Sequence, residues 1–324
     1  MAEEKDKDFK PLGEIIRRGA AHLRPPTPTQ MRLVESSLNI KEDDPDKDEI
    51  AYHHTVFCQT ALPYRSVPDR IWERSNGHVS LRVEAGSALH PGQQKWVNLP
   101  LPFGTKSRLI LIYLDTFAIM QQSPVVDIEH SMTAFLKKLQ GYSPNGKELS
   151  AFRNHAAAVT GSLFRFASTK DNRTFQVDTK IVTSFELWFP KDDRQKTLWP
   201  SYVRLSDEYF NTLKTHAVPL DQRAVAALHH SALALDIYKW LAQRLCRVNA
   251  KAPTFIPWPA VQLQFGQGYS RLRDFRAIFL KTLKTVMTQY PRAKLHADEK
   301  GLVLHLSPPP IAKLSSDVLS TKRL

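Results

Sequence analysis

The stretch 139-LQGYSPNGKELS-150 holds Gly141 and, after four intervening residues, Gly146-Lys147. A phosphate-binding loop has that spacing but continues into Ser or Thr, whose hydroxyl ligates Mg²⁺. Glu148 stands there instead. A carboxylate cannot take over that geometry, and it repels the phosphates. Such a loop also follows a buried strand, so that its backbone N–H groups point into a pocket. Here the preceding TAFLKKL carries Phe135, Leu136 and Leu139 at helical spacing. A second tetrapeptide, Gln267-Gly268-Tyr269-Ser270, repeats Gln140-Gly141-Tyr142-Ser143 and runs into Arg271-Leu272 with no Gly-Lys. A turn that exists in both versions reads as a joint between helices. Gly supplies φ > 0, and Ser or Asn caps the next helix. Nucleotide hydrolysis is not expected.

Other chemistry-bearing residues lead no further. His53-His54 and His229-His230 are adjacent pairs. A metal-dependent DNA-nicking site needs two histidines flanking one residue, with a nucleophilic Tyr, and adjacent side chains diverge. Both pairs are expected at the surface or in packing. No Cys/His metal spacing, G-x-S-x-G elbow or His-Glu-x-x-His occurs. Asp43, Asp44 and Asp46 fall in a segment expected to be solvated. Cys58 and Cys246 make neither a disulfide framework nor a zinc pattern, and are expected as reduced thiols. No catalytic residue, metal or cofactor is therefore assigned, and a binding protein is expected rather than an enzyme.

The chain has 324 residues, enough for about two domains, and 42% of them are apolar. Lys and Arg number 45 against 32 Asp and Glu, a net charge of +13. That excess attracts polyanions, so nucleic acid is the first partner to consider. The N-terminus MAEEKDKDFK has no apolar signal segment. The longest apolar run, 109-LILIYLDTFAIM-120, has 12 residues and contains Asp115. A spanning helix needs about 20 largely apolar residues. A buried helix, no membrane and a cytoplasmic location are expected.

The elements that position the two turns can be read on either side of them. Residues 1–50 are expected as a mostly disordered charged tail, with RPPTPTQ at 24–30 unable to continue a helix and the acidic run 41-KEDDPDKDE-49. Within it 12-LGEIIRRGAAHLR-24 is amphipathic. Residues 307–324 are expected as an irregular tail. Between the tails, residues 51–200 and 201–306 read as two copies of one pattern. The first copy has strand 78–86, helix 105–122, an extended piece at 124–129, helix 130–139, the turn, a helix from Lys147, and strands 163–168 and 174–189. The second has a helix within 203–214 capped by Ser206, helical sequence 221–248 with Asp221 and Ser231 as N-caps, and an extended piece at 253–258. Pro259 then opens a short helix, and after the turn come a helix from Arg271 to about Tyr290 and strands 293–297 and 301–306. Helix, strand, helix, turn, helix and β-hairpin is the order of a winged-helix domain. The expected fold class is α+β, two tandem winged-helix domains with flexible termini.

The helix after each turn would present its N-terminal residues to the DNA major groove. Projected at ~100° per residue, the second places Leu272, Phe275, Phe279, Leu283, Val286 and Tyr290 in one stripe. Arg273, Ala277, Lys281 and Lys284 lie opposite, with Arg271 and Arg276 at the edges. Residues 271–294 carry four Arg and three Lys against Asp274. Arginines at a helix N-terminus oppose its dipole, an arrangement easier to understand if phosphates or guanine edges compensate. The first helix turns Leu149, Phe152, Ala156 and Val159 inward and Lys147, Ser150, Asn154 and Ala157 outward, with Arg153 beside them. Asn can read adenine and Arg guanine. Lys147, Ser150, Arg153, Asn154, Arg271, Arg273, Arg276, Lys281 and Lys284 are the candidate DNA contacts.

Several longer segments carry a family resemblance. LPFGTKSRLILIYL (101–114), VRLSDEYFNTLKTHAVPLD (203–221), SALALDIYKWLAQRL (231–245) and YSRLRDFRAIFLKTLKTVMTQYP (269–291) resemble the plasmid-encoded RepA-type replication initiators of bacteria. The resemblance spans roughly residues 95–310. It implies a bacterial protein that binds repeated double-stranded sites (iterons) at a plasmid origin. Such a protein helps to open A·T-rich DNA and brings in host replication proteins such as the replicative helicase. Some related initiators repress their own gene as dimers, so a homodimer is among the implied partners. Within RLRDFR the resemblance supports Arg271, Arg273 and Arg276 as DNA contacts. A transcriptional repressor of the same fold and, further off, an origin-nicking enzyme are the alternative readings.

Overall fold

The computed structural model describes residues 27–311 except 78, 91–93, 128–133, 135, 138–142, 171–172 and 189–198. The QGY of the first expected turn, most of the expected helix 130–139 and residues 1–26 lie outside the described residues.

The chain first enters α1 (Pro28–Glu42) through a complete capping box. The Thr27 hydroxyl accepts from the Gln30 N–H, and the Gln30 side chain accepts from the Thr27 N–H at 2.8 Å. Pro28 sits at the start, where its missing N–H costs nothing. The run RPPTPTQ therefore begins a helix, and this part of the expected disordered tail is folded. Leu33 and Ile40 pack on the core. Gln289 donates to the Leu33 carbonyl at 2.8 Å, and the Ser36 hydroxyl donates to the Arg223 carbonyl. The acidic run that follows is held by cations from distant segments: Arg292 pairs with Asp44 at 2.9 Å and Arg223 donates to the Asp43 carbonyl.

Strand β1 (Ile50–His54) leads into the short helix α2 (Thr55–Gln59). Strands β2 (Ile71–Asn76) and β3 (Val79–Glu84) precede a two-stranded ribbon of β4 (Ser87–His90) and β5 (Lys95–Asn98). Helix α3 (Gly104–Gln121) is buried at every position from Ser107 to Thr116, as its all-round apolar sequence requires. After β6 (Val125–Asp127), residues 134, 136 and 137 are helical and Leu136 is buried. Helix α4 (Gly146–Gly161) then leads to β7 (Leu163–Lys170), β8 (Arg173–Thr179), β9 (Val182–Trp188) and β10 (Trp199–Leu205).

In the second half, α5 (Asp207–His216) is followed by β11 (Ala217–Asp221), α6 (Gln222–Leu228) and α7 (Ala232–Arg244). Ser206, Asp221 and Ser231 each accept a backbone N–H at a helix start, as their positions in the sequence suggest. Strand β12 (Thr254–Pro257), α8 (Trp258–Phe265), α9 (Leu272–Thr288), β13 (Leu295–Ala297) and β14 (Gly301–Leu304) complete the described chain.

Sheet order exposes the duplication. One three-stranded sheet runs β6-β10-β9 and another β12-β14-β13. In both, the first strand pairs antiparallel with the last and the middle strand in sequence lies outside. Strands β7 and β8 are an insertion that joins β2 and β3 in a four-stranded sheet. β1 and β11, which the sequence reading does not identify, pair antiparallel and tie residue 50 to residue 221. The domain limit expected at residue 200 falls inside β10, and one apolar cluster runs from Ala51 to Leu304.

A buried ion group joins α3 to α7. The Arg108 guanidinium grips Asp236 with two bonds of 2.9 and 2.7 Å and donates to the carbonyls of Leu62, Pro63 and Gly104. Lys239 adds a 3.1 Å contact to the same carboxylate. The two cations hold Asp236 below its usual pKa against the opposing effect of burial. Asp236→Ala leaves both cations buried without their anion. It is expected to cost about 3–5 kcal/mol in denaturant unfolding. A loss under 1 kcal/mol contradicts this account.

Candidate nucleic-acid interface

Helix α4 begins with a second capping box. The Asn145 side chain accepts from the Glu148 N–H at 2.9 Å, and the Glu148 carboxylate accepts from the Asn145 N–H at 3.0 Å. Glu148, the residue out of place for a phosphate loop, thus supplies the negative charge favoured at a helix N-terminus. Lys147 beside it is exposed, as is Asn154 two turns on, while Ser150 and Arg153 are half-buried. Ala157, expected outward, is only 1% exposed. It packs with Ala88 of β4 and Leu99, so the ribbon covers the C-terminal half of that face. The approach is close: a Cβ on Gly86 would stand 1.7 Å from the Gly161 carbonyl oxygen. Only the part of α4 up to Asn154 is open to a ligand.

The second unit is more open. Gly266 N–H donates to the Gln262 carbonyl at 2.6 Å, Tyr269 N–H to the Gly266 carbonyl at 3.0 Å, and Gln262 reaches forward to the Tyr269 carbonyl. Gly268 has φ +82°, the left-handed conformation that glycine adopts without strain. Arg271 occupies the N-cap of α9 without a side-chain cap, so Ser270 does not take the capping role expected for it. Phe275, Phe279, Leu283 and Val286 are buried in one stripe and Tyr290 lies buried just beyond the helix. Leu272, expected in the same stripe, is 38% exposed. Arg273, Ala277, Lys281 and Lys284 line the outer face, all exposed.

The arginines do different work. Asp274 pairs with Arg271 at 2.7 Å and lies 3.7 Å from the Arg273 guanidinium, so it offsets part of their conflict with the helix dipole. Arg273 still projects, its side chain 88% exposed. Arg276 turns to the β13–β14 connection, donating to the carbonyls of Asp298 (3.0 Å) and Glu299 (3.2 Å) and lying over the Trp258 ring at 5.2 Å. It clasps helix to hairpin. The connection is also fixed from within, because Asp298 accepts from the N–H groups of Lys300 and Gly301 at 2.7 Å each. Those two bonds hold its carboxyl below the usual carboxylate range. The clasp has no one-dimensional signature, since 22 residues separate its partners.

Both histidine pairs diverge. His53 bonds Asp115 at 2.8 Å in the core while His54 reaches Thr212 at 3.3 Å, and His229 bonds the Ala226 carbonyl. Among the described residues no group of three His, Cys, Asp or Glu side chains can hold a metal ion, and no helix is long and apolar enough to cross a membrane. Cys58 is buried, which pushes its thiol up to about 12, and both cysteines are free.

Residues 101–259 match the family model described as plasmid encoded RepA protein. Over that span the chain is similar to the plasmid-encoded RepA proteins. The matched span contains α4 with Lys147, Ser150, Arg153 and Asn154, and it ends within α8, ahead of the α9 residues. Two solved structures of RctB domains 2 and 3 are similar. The selenomethionine form has TM-score 0.48 and 10% identity, over 78% of this chain and 98% of that one. The other has TM-score 0.45 and 9% identity, over 77% and 94%. No curated relative matches the sequence.

Helix α4 makes two testable statements. Asn145→Ala is expected to lower stability by about 1 kcal/mol in chemical unfolding. Burial, and after it the nearby Lys106, lowers His155 from 6.5 to about 4, with its ring bonded to the Ser107 hydroxyl at 2.9 Å. The folded state therefore resists a proton that the unfolded chain accepts, and stability falls as pH drops from 6.5 towards 4. His54, also lowered to about 4, acts in the same sense. In His155→Gln the fall in melting temperature across that window should be shallower than in the parent; an unchanged slope removes His155 from the effect.

Proposed function

We propose that this chain initiates plasmid replication by binding repeated duplex sites at the origin through two tandem winged-helix units, without a catalytic step of its own. The observation that carries the reading is the duplicated sheet order, β6-β10-β9 and β12-β14-β13. Each sheet follows a helix that faces solvent with cationic or amide side chains at its start. α4 and α9 would be the reading helices, β9–β10 and β13–β14 the wings. On α9, Arg271 and Arg273 are placed for base edges near the helix start, and Ala277 lets the backbone approach the groove. Lys281 and Lys284 then meet phosphates further along, giving affinity that falls with salt. Arg276 acts by holding the wing to the reading helix, and any DNA contact it makes comes from that position. Lys147 and Asn154 serve α4, with Ser150 and Arg153 at the edge. In this reading the protein works in the bacterial cytoplasm, opens adjacent A·T-rich DNA, engages host replication proteins including the helicase, and forms a homodimer when it represses its own gene.

Nuclease footprinting of the DNA flanking the gene is expected to show tandem, evenly spaced protection. A single palindromic footprint would instead identify a repressor. Arg273→Ala should weaken cognate binding by roughly 1–3 kcal/mol with little change in melting temperature, whereas Lys281→Ala should weaken all sequences alike and reduce the salt slope by about 1. Unchanged affinity in both variants sinks the assignment of α9. Incubation with origin DNA and Mg²⁺ or Mn²⁺ should leave no covalent protein–DNA adduct.

A further inference from the structure

Between α2, β7 and α5 lies a solvent-open cavity of about 350 Å³. That is within the ~300–1,000 Å³ typical of small-molecule sites. Its wall is aromatic: the His54 ring stacks with Tyr209 at 5.1 Å and with Phe166 at 6.0 Å between centroids. Its edge is polar, supplied by Thr212, Ser168 and His216. No Lys, Arg, Asp or Glu lines it.

His54 is fixed in one neutral form. Its Nδ1 accepts from the Val56 N–H, which leaves the proton on Nε2 facing the Thr212 hydroxyl. Burial holds its pKa at about 4, so the ring stays neutral at physiological pH. Thr212 donates to the Tyr209 carbonyl at 2.8 Å and keeps acceptor capacity toward the cavity. His216 makes no hydrogen bond among the described residues, although its ring meets that of His54 edge-on at 6.5 Å.

Such a site disfavours charged ligands. A carboxylate or phosphate inside would lose water without gaining a cation, and an aliphatic ligand would leave the hydroxyl and imidazole edge unused. A flat, neutral heteroaromatic ring with hydrogen-bonding atoms on its rim satisfies both wall and edge. Stacking on aromatic side chains is also sequence-tolerant, because every base has a π-face.

We propose that this cavity receives a nucleobase, its face against the His54–Tyr209–Phe166 wall and its rim against Thr212, Ser168 and His216. The inference rests on the origin-opening role proposed above, in which unpaired bases become available beside a bound initiator. A free nucleoside and an unpaired base in a strand present the same chemistry to the cavity.

The test uses the full chain and 2-aminopurine, whose fluorescence falls on stacking, supplied as the free riboside and within a single-stranded oligonucleotide. Quenching by both probes assigns the cavity to a free nucleoside as well as a strand, and quenching of the oligonucleotide alone assigns it to an unpaired base of DNA. Either outcome supports the proposal if Ser168→Phe, which fills the cavity from its exposed rim, and His216→Ala weaken that binding, the former about tenfold or more. No quenching by the parent protein, or quenching that both variants retain, overturns it. Duplex-repeat affinity, measured on the same samples, stands apart: if it persists while quenching is absent, the cavity assignment fails and the initiator reading survives. If the duplex is not bound at all, the initiator reading fails on its own terms. Circular dichroism of each variant confirms that the fold is retained.

Discussion

The fold depends on a charge taken out of water. Arg108 on α3 and Asp236 on α7 face each other at 2.7 and 2.9 Å with side chains no more than 3% exposed. Two charges in the interior recover their desolvation cost only with good geometry and with their remaining donors satisfied. Here the fork is bidentate, the other guanidinium hydrogens go to carbonyls of Leu62, Pro63 and Gly104, and Lys239 shares the carboxylate. Because α3 opens the first repeated unit and α7 the second, the ion group fixes how the two first helices meet. Everything stacked on them, including α4 and α9, inherits that orientation. An apolar pair of the same volume would bury as much surface and specify less.

A second polar group works in the same way nearby. Asp115 accepts from the Tyr209 hydroxyl at 2.7 Å and the His54 N–H at 3.0 Å, and it bonds the His53 ring. It ties β1 and α5 to α3. Burial raises its pKa to about 7, with these hydrogen bonds opposing the rise. The adjacent histidines consequently serve opposite sides of one strand: His53 points to the carboxylate in the core, and His54 caps α2 and forms a cavity wall. Adjacent residues of a strand face opposite ways, which is why this pair cannot close on a metal ion.

On α9 the division of labour among basic residues follows from what each can reach. Asp274 takes up Arg271 and touches Arg273, the wing connection takes up Arg276, and Lys281 and Lys284 remain on the outer face. A helix-dipole argument that treats the three arginines alike misses this, since the compensating groups are one acidic neighbour and two backbone carbonyls 22 and 23 residues away. On α4 the equivalent surface is half-covered by the β4–β5 ribbon, so the two reading faces are unequal in area.

Local information in the chain was sufficient for α3, α7, α8 and α9: α3 by its continuous apolar run, α7 by its Ser231 cap, α8 by its opening proline and α9 by its apolar periodicity. The repeated order of elements was legible too, because it is sequential. α1 was legible in principle: Thr27-Pro28 with Gln30 is a start signal, outweighed by the charge that follows it. Ala157 and Leu272 were not legible, since what covers the first and uncovers the second is contributed by other segments. The β1–β11 pair, the Arg108–Asp236–Lys239 group and the aromatic cavity were equally hidden. The sequence by itself determined the helices α3, α7, α8 and α9, the repeated order of elements, and where its positive charge is carried. Only the tertiary structure decided which of those charges remain free for a ligand, because burial and pairing bring in other segments, 22 positions away for Arg276 and Asp298 and 128 for Arg108 and Asp236.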